Sequence, residues 1–151
     1  MLGLLRALTA ILCLAAATPA LAADVSVSAN PAGIAPVALI TGSDRGLGFA
    51  LTQELTARGW RVIATCRSPE KAADLKAFAA ANPGVALEKL DVADDAAIDA
   101  LAAKLRGQPI DALINNAGVL GRMGAQRVED MDPVELQRVL RVNTYGPMRL
   151  A

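Results

Sequence analysis

The stretch that decides the fold is ALITGSDRGLGFA, residues 38–50. Its apolar run ends at Thr41 and is followed by Gly42, Gly46 and Gly48 before a helical pattern begins. A tight turn between a buried strand and a helix needs glycines. They allow backbone conformations closed to other residues, and they let the backbone approach a ligand and the helix pack against the strand. The unpaired N–H groups at such a helix start favour a bound pyrophosphate. The alternative is a glycine-rich turn that binds nothing.

Three further apolar runs follow at regular intervals outward from this turn. The four runs begin at Val37, Arg61, Val85 and Ile110, which are 24, 24 and 25 residues apart. Strand-like runs without strict polar alternation, joined by helices, indicate a parallel sheet covered on both faces. The sequence therefore predicts a doubly wound α/β fold. The predicted strands are 37–41, 61–66, 85–92 and 110–116.

Helix signals occupy the gaps between these runs. Leucines at 47, 51 and 55 recur every four residues on one predicted helical face. Ser68-Pro69 and Asp132-Pro133 each place an N-capping residue before a proline at the first helical position. These signals predict helices directly after the glycine turn and after each of the two proline positions.

Composition narrows the classes of function. The 151 residues suit one domain, and 15 basic residues balance 15 acidic ones without any basic run. This balance argues against a nucleic-acid partner. The absence of histidine removes His-based zinc sites and Ser-His or Cys-His catalysis, and no metal site is predicted. Two cysteines, Cys13 and Cys66, do not make a disulfide framework.

The N-terminus forms a region of its own. Arg6, an apolar stretch over 7–17 and Ala20-Leu21-Ala22 match a signal peptide over residues 1–22. Residues 23–36 contain two prolines and a glycine and are predicted to be a linker, so the domain spans 37–151. Cleavage predicts an exported protein, periplasmic or secreted. The alternative is an uncleaved segment that tethers the protein to a membrane, or a cytoplasmic protein.

Two arginines bear on the choice of dinucleotide. Arg67 stands at the end of the second strand, where an acidic residue would hold the ribose hydroxyl of NAD. A guanidinium instead pairs with a 2′-phosphate, and Arg45 in the glycine turn adds a second positive charge. This pattern favours NADP over NAD. The alternative is that both arginines are merely exposed surface residues.

Four motifs together resemble the short-chain dehydrogenase/reductase superfamily. They are TGxxxGxG at 41–48, Leu-Asp-Val at 90–92, NNAG at 115–118 and Arg-Val-Asn at 141–143. The segment around the first two strands is particularly similar to NADP-dependent carbonyl reductases of this family. The resemblance implies a Rossmann-type sheet, truncated to about four strands in the order 3-2-1-4. It also implies a dinucleotide cofactor, a small carbonyl or alcohol substrate and, for a full-length homologue, a homo-oligomer.

The resemblance assigns roles to individual residues. By it, Arg67 meets the 2′-phosphate and Asp91 meets the adenine amino group. The alternative for Asn115 or Asn116 is a strand-end residue that satisfies backbone groups. The remaining cofactor-binding residues implied are Gly42, Arg45, Gly46, Leu47 and Gly48 for the pyrophosphate, and Asn116, Ala117 and Gly118 for the ribose side.

Asn143 is the single catalytic candidate. It shares the spacing of Leu136, Val139 and Leu140, which predicts a polar group on an apolar helical face, where it needs partners. Pro147 has no N–H for the Asn143 carbonyl, so that carbonyl is free to hold a water. The resemblance implies that this asparagine anchors a proton-relay water. The alternative is an incidental core asparagine beside a helix kink.

The sequence departs from the family's catalytic pattern. The family's catalytic Ser and its Tyr-x-x-x-Lys pair are not found, and Tyr145 is followed four residues later by Arg149, not lysine. Tyr145 also lies on the helix of Asn143, so it is assigned no role. A sheet of four strands would leave the fourth as a bare edge, which indicates a fragment. Two functions stay open: an NADP-dependent carbonyl reductase represented by its cofactor-binding half, or a catalytically inactive, truncated nucleotide-binding remnant.

Overall fold

The computed structural model describes residues 33–122 and 128–151. Its four strands are β1 (Val37–Thr41), β2 (Arg61–Cys66), β3 (Val85–Lys89) and β4 (Ala112–Ile114). They form one parallel sheet in the order β3-β2-β1-β4, which confirms the predicted fold and strand order. The predicted signal peptide, residues 1–22, lies outside the described residues, as does most of the predicted linker. Among the described residues, no helix combines the length and apolar character needed to cross a bilayer.

Helices connect the strands and continue beyond β4. The α-helices are α1 (Gly46–Ala57), α2 (Ala73–Ala81), α3 (Asp95–Lys104), α4 (Pro133–Leu140) and α5 (Gly146–Leu150). Short 3₁₀ turns occupy Pro69–Lys71 and Val128–Asp130, and a π-helical turn over Arg141–Tyr145 joins α4 to α5.

Two apolar clusters lie on opposite faces of the sheet. Successive strand residues point to opposite faces, so Leu39 packs with Ile63 and α3 in one cluster, and Ile40 belongs to the other. The second cluster contains Leu75 of α2 and is flanked by Phe49 of α1. Every residue of β1 is buried, as the central position of this strand requires. The doubly covered sheet explains why the strand sequences do not alternate with polar residues.

Two strands are shorter than the sequence predicted. β3 ends at Lys89 because Asp91 starts a turn: its Oδ1 accepts from the Ala93 N–H at 2.9 Å. β4 begins only after Asp111, whose carboxylate accepts from the Val37 N–H at 2.8 Å. In both places an aspartate side chain bonds to the backbone where the regular strand stops.

The predicted helix start is confirmed at Asp132-Pro133 and is wrong at Ser68-Pro69. Asp132 caps α4, since its Oδ1 accepts from the Val134 N–H at 2.9 Å. Ser68 makes no side-chain cap, and Pro69 opens only a three-residue 3₁₀ turn before α2 begins at Ala73. Leu47 is also not a core residue: its side chain is 68% exposed at the start of α1.

The π-helical turn follows from Pro147. A proline at this position cannot donate to the Asn143 carbonyl, and the chain instead uses wider hydrogen bonds. The Gly146 N–H donates to the Arg141 carbonyl, five residues back. Gly146 is buried, and a Cβ on it would collide with the Val92 carbonyl oxygen. The turn therefore packs its backbone against the segment that follows β3.

Candidate functional site

A cavity of about 500 Å³ opens at the carboxyl ends of the four strands. Ligands of doubly wound sheets bind at this edge. Nine of the ten residues predicted to bind the cofactor line the cavity, and Gly46 is the exception. The lining residues are Gly42, Asp44, Arg45, Leu47 and Gly48 after β1; Arg67, Ser68 and Lys71 after β2; Leu90, Asp91 and Val92 after β3; Asn116, Ala117, Gly118 and Val119 after β4; and Val142.

The three glycines of the turn are required for three different reasons. Gly42 has a φ of 68°, and a Cβ on it would lie 3.0 Å from the Ala117 Cα. Gly48 is buried, and a Cβ there would collide with the Gly42 carbonyl oxygen and lie 2.5 Å from the Asn116 Nδ2. Gly46 has a φ of 55° with no atom within 4 Å of its Cβ position. The first two glycines pack the turn, and the third leaves space beside it.

Thr41 and Asn116 fasten the glycine turn to the end of β4. The Thr41 hydroxyl oxygen accepts from the backbone N–H groups of Asn116 at 3.0 Å and Ala117 at 2.9 Å. In return, the Asn116 side chain donates to the carbonyls of Thr41 at 2.9 Å and Gly42 at 3.0 Å. Asn116 thus satisfies backbone groups at a strand end, the role that the sequence left open, while lining the cavity. Sequence reasoning missed Thr41, which is 1% exposed.

Ser43 and Thr65 fasten the other side of the turn to β2. The Ser43 N–H donates to the Thr65 carbonyl at 2.8 Å. The hydroxyls of Ser43 and Thr65 both donate to the Ile40 carbonyl, at 3.0 and 3.1 Å. Both side chains are fully buried. These hydrogen bonds attach the glycine turn to β1 and β2.

Charged side chains surround the cavity. Arg45, Arg67 and Lys71 contribute three positive charges, and Asp44 and Asp91 contribute two negative charges, a net of +1. The Arg45 Nε lies 4.0 Å from the Asp44 Oδ2, and the Arg45 side chain is 89% exposed. Within residues 33–122 and 128–151, neither Arg67 nor Lys71 has an ion-pair partner. The cavity thus carries an excess of positive charge suited to an anion.

Asp91 stands on the far side of the cavity and is half-buried. Its Oδ1 is engaged by the Ala93 N–H, and its main-chain carbonyl accepts from the Asp94 N–H at 3.0 Å. These bonds fix the position of the carboxylate beside the cavity.

Asn143 lies in the π-helical turn and not in the cavity wall. Its Oδ1 accepts from the Val119 N–H at 2.9 Å, and its Nδ2 donates to the Val119 carbonyl at 2.8 Å. The residue is exposed, so the expectation of an asparagine buried on an apolar face is wrong. The side chain instead ties the turn to the loop that follows β4, and the adjacent Val142 reaches the cavity.

Two other polar residues of this region lie outside the cavity wall. Tyr145 is 53% exposed and lines a shallow surface groove with Val134 and Leu140. Asn115 is exposed, and its Nδ2 is 3.4 Å from the Pro147 carbonyl. Across the described ranges, no three His, Cys, Asp or Glu side chains are grouped so as to hold a metal ion.

Cys66 allows a prediction about pH. Burial raises the pKa of this thiol at the end of β2, and the carboxylate of Asp44 raises it further. In the unfolded chain this thiol has its ordinary pKa of about 8.5, so it ionises at a lower pH than in the folded protein. Ionisation therefore favours the unfolded chain as pH rises above about 8.5, and the folded protein loses stability. We expect the unfolding free energy of the wild type to fall more steeply from pH 8 to 10 than that of Cys66→Ala. Parallel denaturation curves against pH would contradict this.

Comparison with known proteins identifies the family to which this chain belongs. The family model for the short-chain dehydrogenase matches residues 36–151. The chain belongs to the short-chain dehydrogenase family. Human retinol dehydrogenase 5 is 38% identical over 113 residues, which cover 72% of this chain and 34% of the relative.

Solved structures agree with this assignment to the short-chain dehydrogenases. One short-chain dehydrogenase/reductase from Burkholderia multivorans, solved with NADP bound, has 34% identity and a TM-score of 0.71 over 78% of this chain and 51% of the other. An NADPH-bound carbonyl reductase from chicken fatty liver has 33% identity and a TM-score of 0.70 over 77% and 45%. The chain thus spans between a third and about half of the length of these relatives.

The structure adds members to the site that sequence reasoning missed. Lys71 and Ser68 reach the cavity because the 3₁₀ turn folds the chain back after β2. Val119 lines the cavity, and its N–H donates to the Asn143 side chain. Asp44 adds a negative charge beside the two predicted arginines. The only available sequence signal was the clustering of charged residues next to the glycine turn and the second strand.

Proposed function

We propose that this short-chain dehydrogenase binds NADP(H) and forms the cofactor-binding part of an oxidoreductase that reduces ketones or aldehydes. The observation that carries the proposal is one cavity that brings Gly42 and Gly48 of the glycine turn together with three cationic side chains. The NADP-bound and NADPH-bound relatives support it.

The residues of the cavity fit the proposed cofactor. Leu47 and Gly48 bring the first turn of α1 to the cavity wall, and a helix N-terminus favours a bound pyrophosphate. A phosphate monoester carries about −1.5 to −2 charges at neutral pH. The three cations of the cavity wall, Arg45, Arg67 and Lys71, can pair with these negative charges. A cavity of about 500 Å³ falls in the usual range for cofactor sites.

Each part of the site has a defined task in this proposal. Bound NADPH supplies a hydride for a carbonyl carbon, and the protein supplies binding and orientation. Arg45 and Arg67 hold the 2′-phosphate, and the Thr41–Asn116 hydrogen bonds keep the glycine turn in place. The Asn143 side chain is fully paired with Val119, so contact with a relay water falls to the Asn143 main-chain carbonyl. Pro147 has no N–H that could occupy that carbonyl.

Replacing Arg67 with aspartate tests the preference for NADP. A carboxylate there repels the 2′-phosphate and accepts from a ribose hydroxyl, so we expect NADPH affinity to fall by about 10- to 100-fold. NADH affinity should stay equal or rise. Dissociation constants for both dinucleotides are measured by fluorescence titration, with Arg61→Asp as the matched control because Arg61 is exposed at the other end of β2. Equal losses for both dinucleotides would contradict the assignment.

Turnover distinguishes the two functions that the sequence left open. The assay follows consumption of NADPH, with a panel of aldehydes and ketones, by the protein purified from its native source. Turnover supports the reductase. Tight NADPH binding without turnover supports the alternative, a nucleotide-binding protein without catalysis.

A further inference from the structure

An arginine outside the cofactor cavity holds the segment that follows β3. The Arg141 Nε donates to the Ala93 carbonyl at 3.1 Å, and its Nη2 donates to the Asp95 Oδ2 at 2.7 Å. Arg141 belongs to the π-helical turn and does not line the cavity. One guanidinium therefore bonds both the backbone just after Asp91 and the first residue of α3.

Ala93 connects this arginine to the cavity. Its N–H donates to the Asp91 Oδ1 at 2.9 Å, while its carbonyl accepts from Arg141. Asp91 lines the cavity, and its second carboxylate oxygen accepts no hydrogen bond from any described residue. The position of Ala93 therefore controls where that second oxygen lies in the cavity.

The strand order puts Asp91 beside the arginine proposed to hold the 2′-phosphate. β3 and β2 are neighbours in the sheet, and Asp91 and Arg67 follow their carboxyl ends into one cavity. In NADP the 2′-phosphate and the adenine are attached to the same ribose, so a phosphate at Arg67 brings the adenine to this side of the cavity. A carboxylate accepts hydrogen bonds and donates none, which suits the amino group of adenine.

The bonds of Arg141 matter for position more than for folding. The side chains of Arg141 and Asp95 are 43% and 49% exposed, and an ion pair at that exposure contributes little to stability. Arg149 lies further along the same helix, where it pairs with Asp99 at 2.7 Å and approaches Asp95 at 3.5 Å. It makes no bond to residues 91–93. Loss of the Arg141 guanidinium should therefore leave the fold intact and release Ala93.

We propose that Arg141 is a positioning residue for the cofactor, which through Ala93 holds the Asp91 carboxylate where the adenine amino group binds. Asp95 in turn holds the guanidinium in place. Arg141 thereby strengthens the discrimination between a purine that carries an amino group and one that carries a carbonyl oxygen instead. This inference rests on the proposed function and assigns a role to a residue outside the cavity.

A cofactor analogue without the amino group tests the inference in the purified protein. Reduced nicotinamide hypoxanthine dinucleotide phosphate has a carbonyl oxygen in place of that group, and a carboxylate repels this oxygen. We expect the wild type to bind NADPH about 10-fold more tightly than the analogue, and Arg141→Met to reduce this ratio to about two- to threefold. Arg141→Lys should restore part of the ratio, because an ammonium group can still donate to one of the two acceptors.

Three further variants complete the test. Arg149→Met is the matched control, since it removes the same charge from a pair with Asp99 and should keep the wild-type ratio. In an Asp91→Ala background, Arg141→Met should change the ratio no further, because the residue through which it acts is gone. Asp95→Ala should lower the ratio in the same direction as Arg141→Met, and it replaces that variant if a melting curve shows that Arg141→Met does not fold.

The outcomes distinguish this inference from the proposed function. An Arg141→Met protein with the wild-type ratio, or with equal losses for NADPH and the analogue, overturns the role of Arg141 and leaves the proposed function standing. A wild type that binds NADPH and the analogue equally has the same consequence, because Asp91 then does not read the amino group. A wild type that does not bind NADPH overturns the proposed function and this inference together.

Discussion

Gly48→Ala is expected to weaken NADPH binding about 100-fold and to lower the free energy of unfolding by about 1–3 kcal/mol. The new methyl group would collide with the Gly42 carbonyl oxygen and lie 2.5 Å from the Asn116 Nδ2. Neither atom is free to retreat, because Asn116 is bonded to the carbonyls of Thr41 and Gly42. The methyl group therefore fits only if α1 moves away from the glycine turn. That movement would disrupt the proposed pyrophosphate site.

Gly84→Ala is the matched control for this experiment. A Cβ at Gly84 would meet only the Trp60 carbonyl oxygen, at an ordinary 3.8 Å, and the residue lies outside the cavity. Its stability should stay within about 1 kcal/mol of the wild type, and its NADPH affinity should be unchanged. Chemical denaturation and NADPH titration measure both quantities. If Gly48→Ala binds NADPH like the wild type, the close packing of α1 on the turn does not form the site.

Thr41→Val is expected to lower the free energy of unfolding by about 1–3 kcal/mol, because the Ala117 N–H loses its acceptor and the Asn116 N–H keeps only the Ile114 carbonyl at 3.0 Å. Valine keeps the shape of threonine, so the effect isolates the hydroxyl oxygen that accepts from Asn116 and Ala117. Burial of Thr41 keeps water from replacing it. The loss is a large fraction of a typical folding free energy of about 5–15 kcal/mol. NADPH affinity should fall as well, since the turn loses its attachment to β4.

Thr41→Ser and Thr56→Val complete this test. Thr41→Ser retains the hydroxyl and should recover most of the stability. The Thr56 hydroxyl donates to the Thr52 carbonyl at 2.7 Å within α1, and Thr56→Val leaves no backbone donor without an acceptor. Its cost should therefore be below about 1 kcal/mol. A Thr41→Val protein as stable as Thr56→Val would show that the hydroxyl does not hold the two strand ends together.

The local sequence was sufficient for the predicted fold. The 24-residue spacing of the apolar runs and the glycine turn predicted strands that the structure confirms at β1 and β2 with the same bounds. β3 and β4 were predicted too long: β3 ends before Asp91 and β4 begins after Asp111, and both aspartate side chains accept from backbone N–H groups. Apolar periodicity carries no signal for such a bond.

The environment of Asn143 was predicted wrongly from helical periodicity. Its spacing from Leu136, Val139 and Leu140 predicted burial on an apolar face, but Leu136 and Leu140 are themselves exposed. The partner of its side chain is the backbone of Val119, which is 24 residues away in sequence. A polar side chain that bonds a remote backbone segment has no local sequence signature.

By itself, the sequence determined the βα units, the glycine turn and the positive charge at the end of the second strand. These features depend on residue spacing, backbone freedom and charge, which act over a few neighbouring residues. Only the tertiary structure decided that Asn116 fastens Thr41, which lies 75 residues earlier, and that Gly146 packs on the Val92 carbonyl. It also decided that Lys71 joins Arg67 in the cavity. These contacts depend on how separate segments meet, because hydrogen-bond geometry and steric exclusion act only between atoms that folding has brought together.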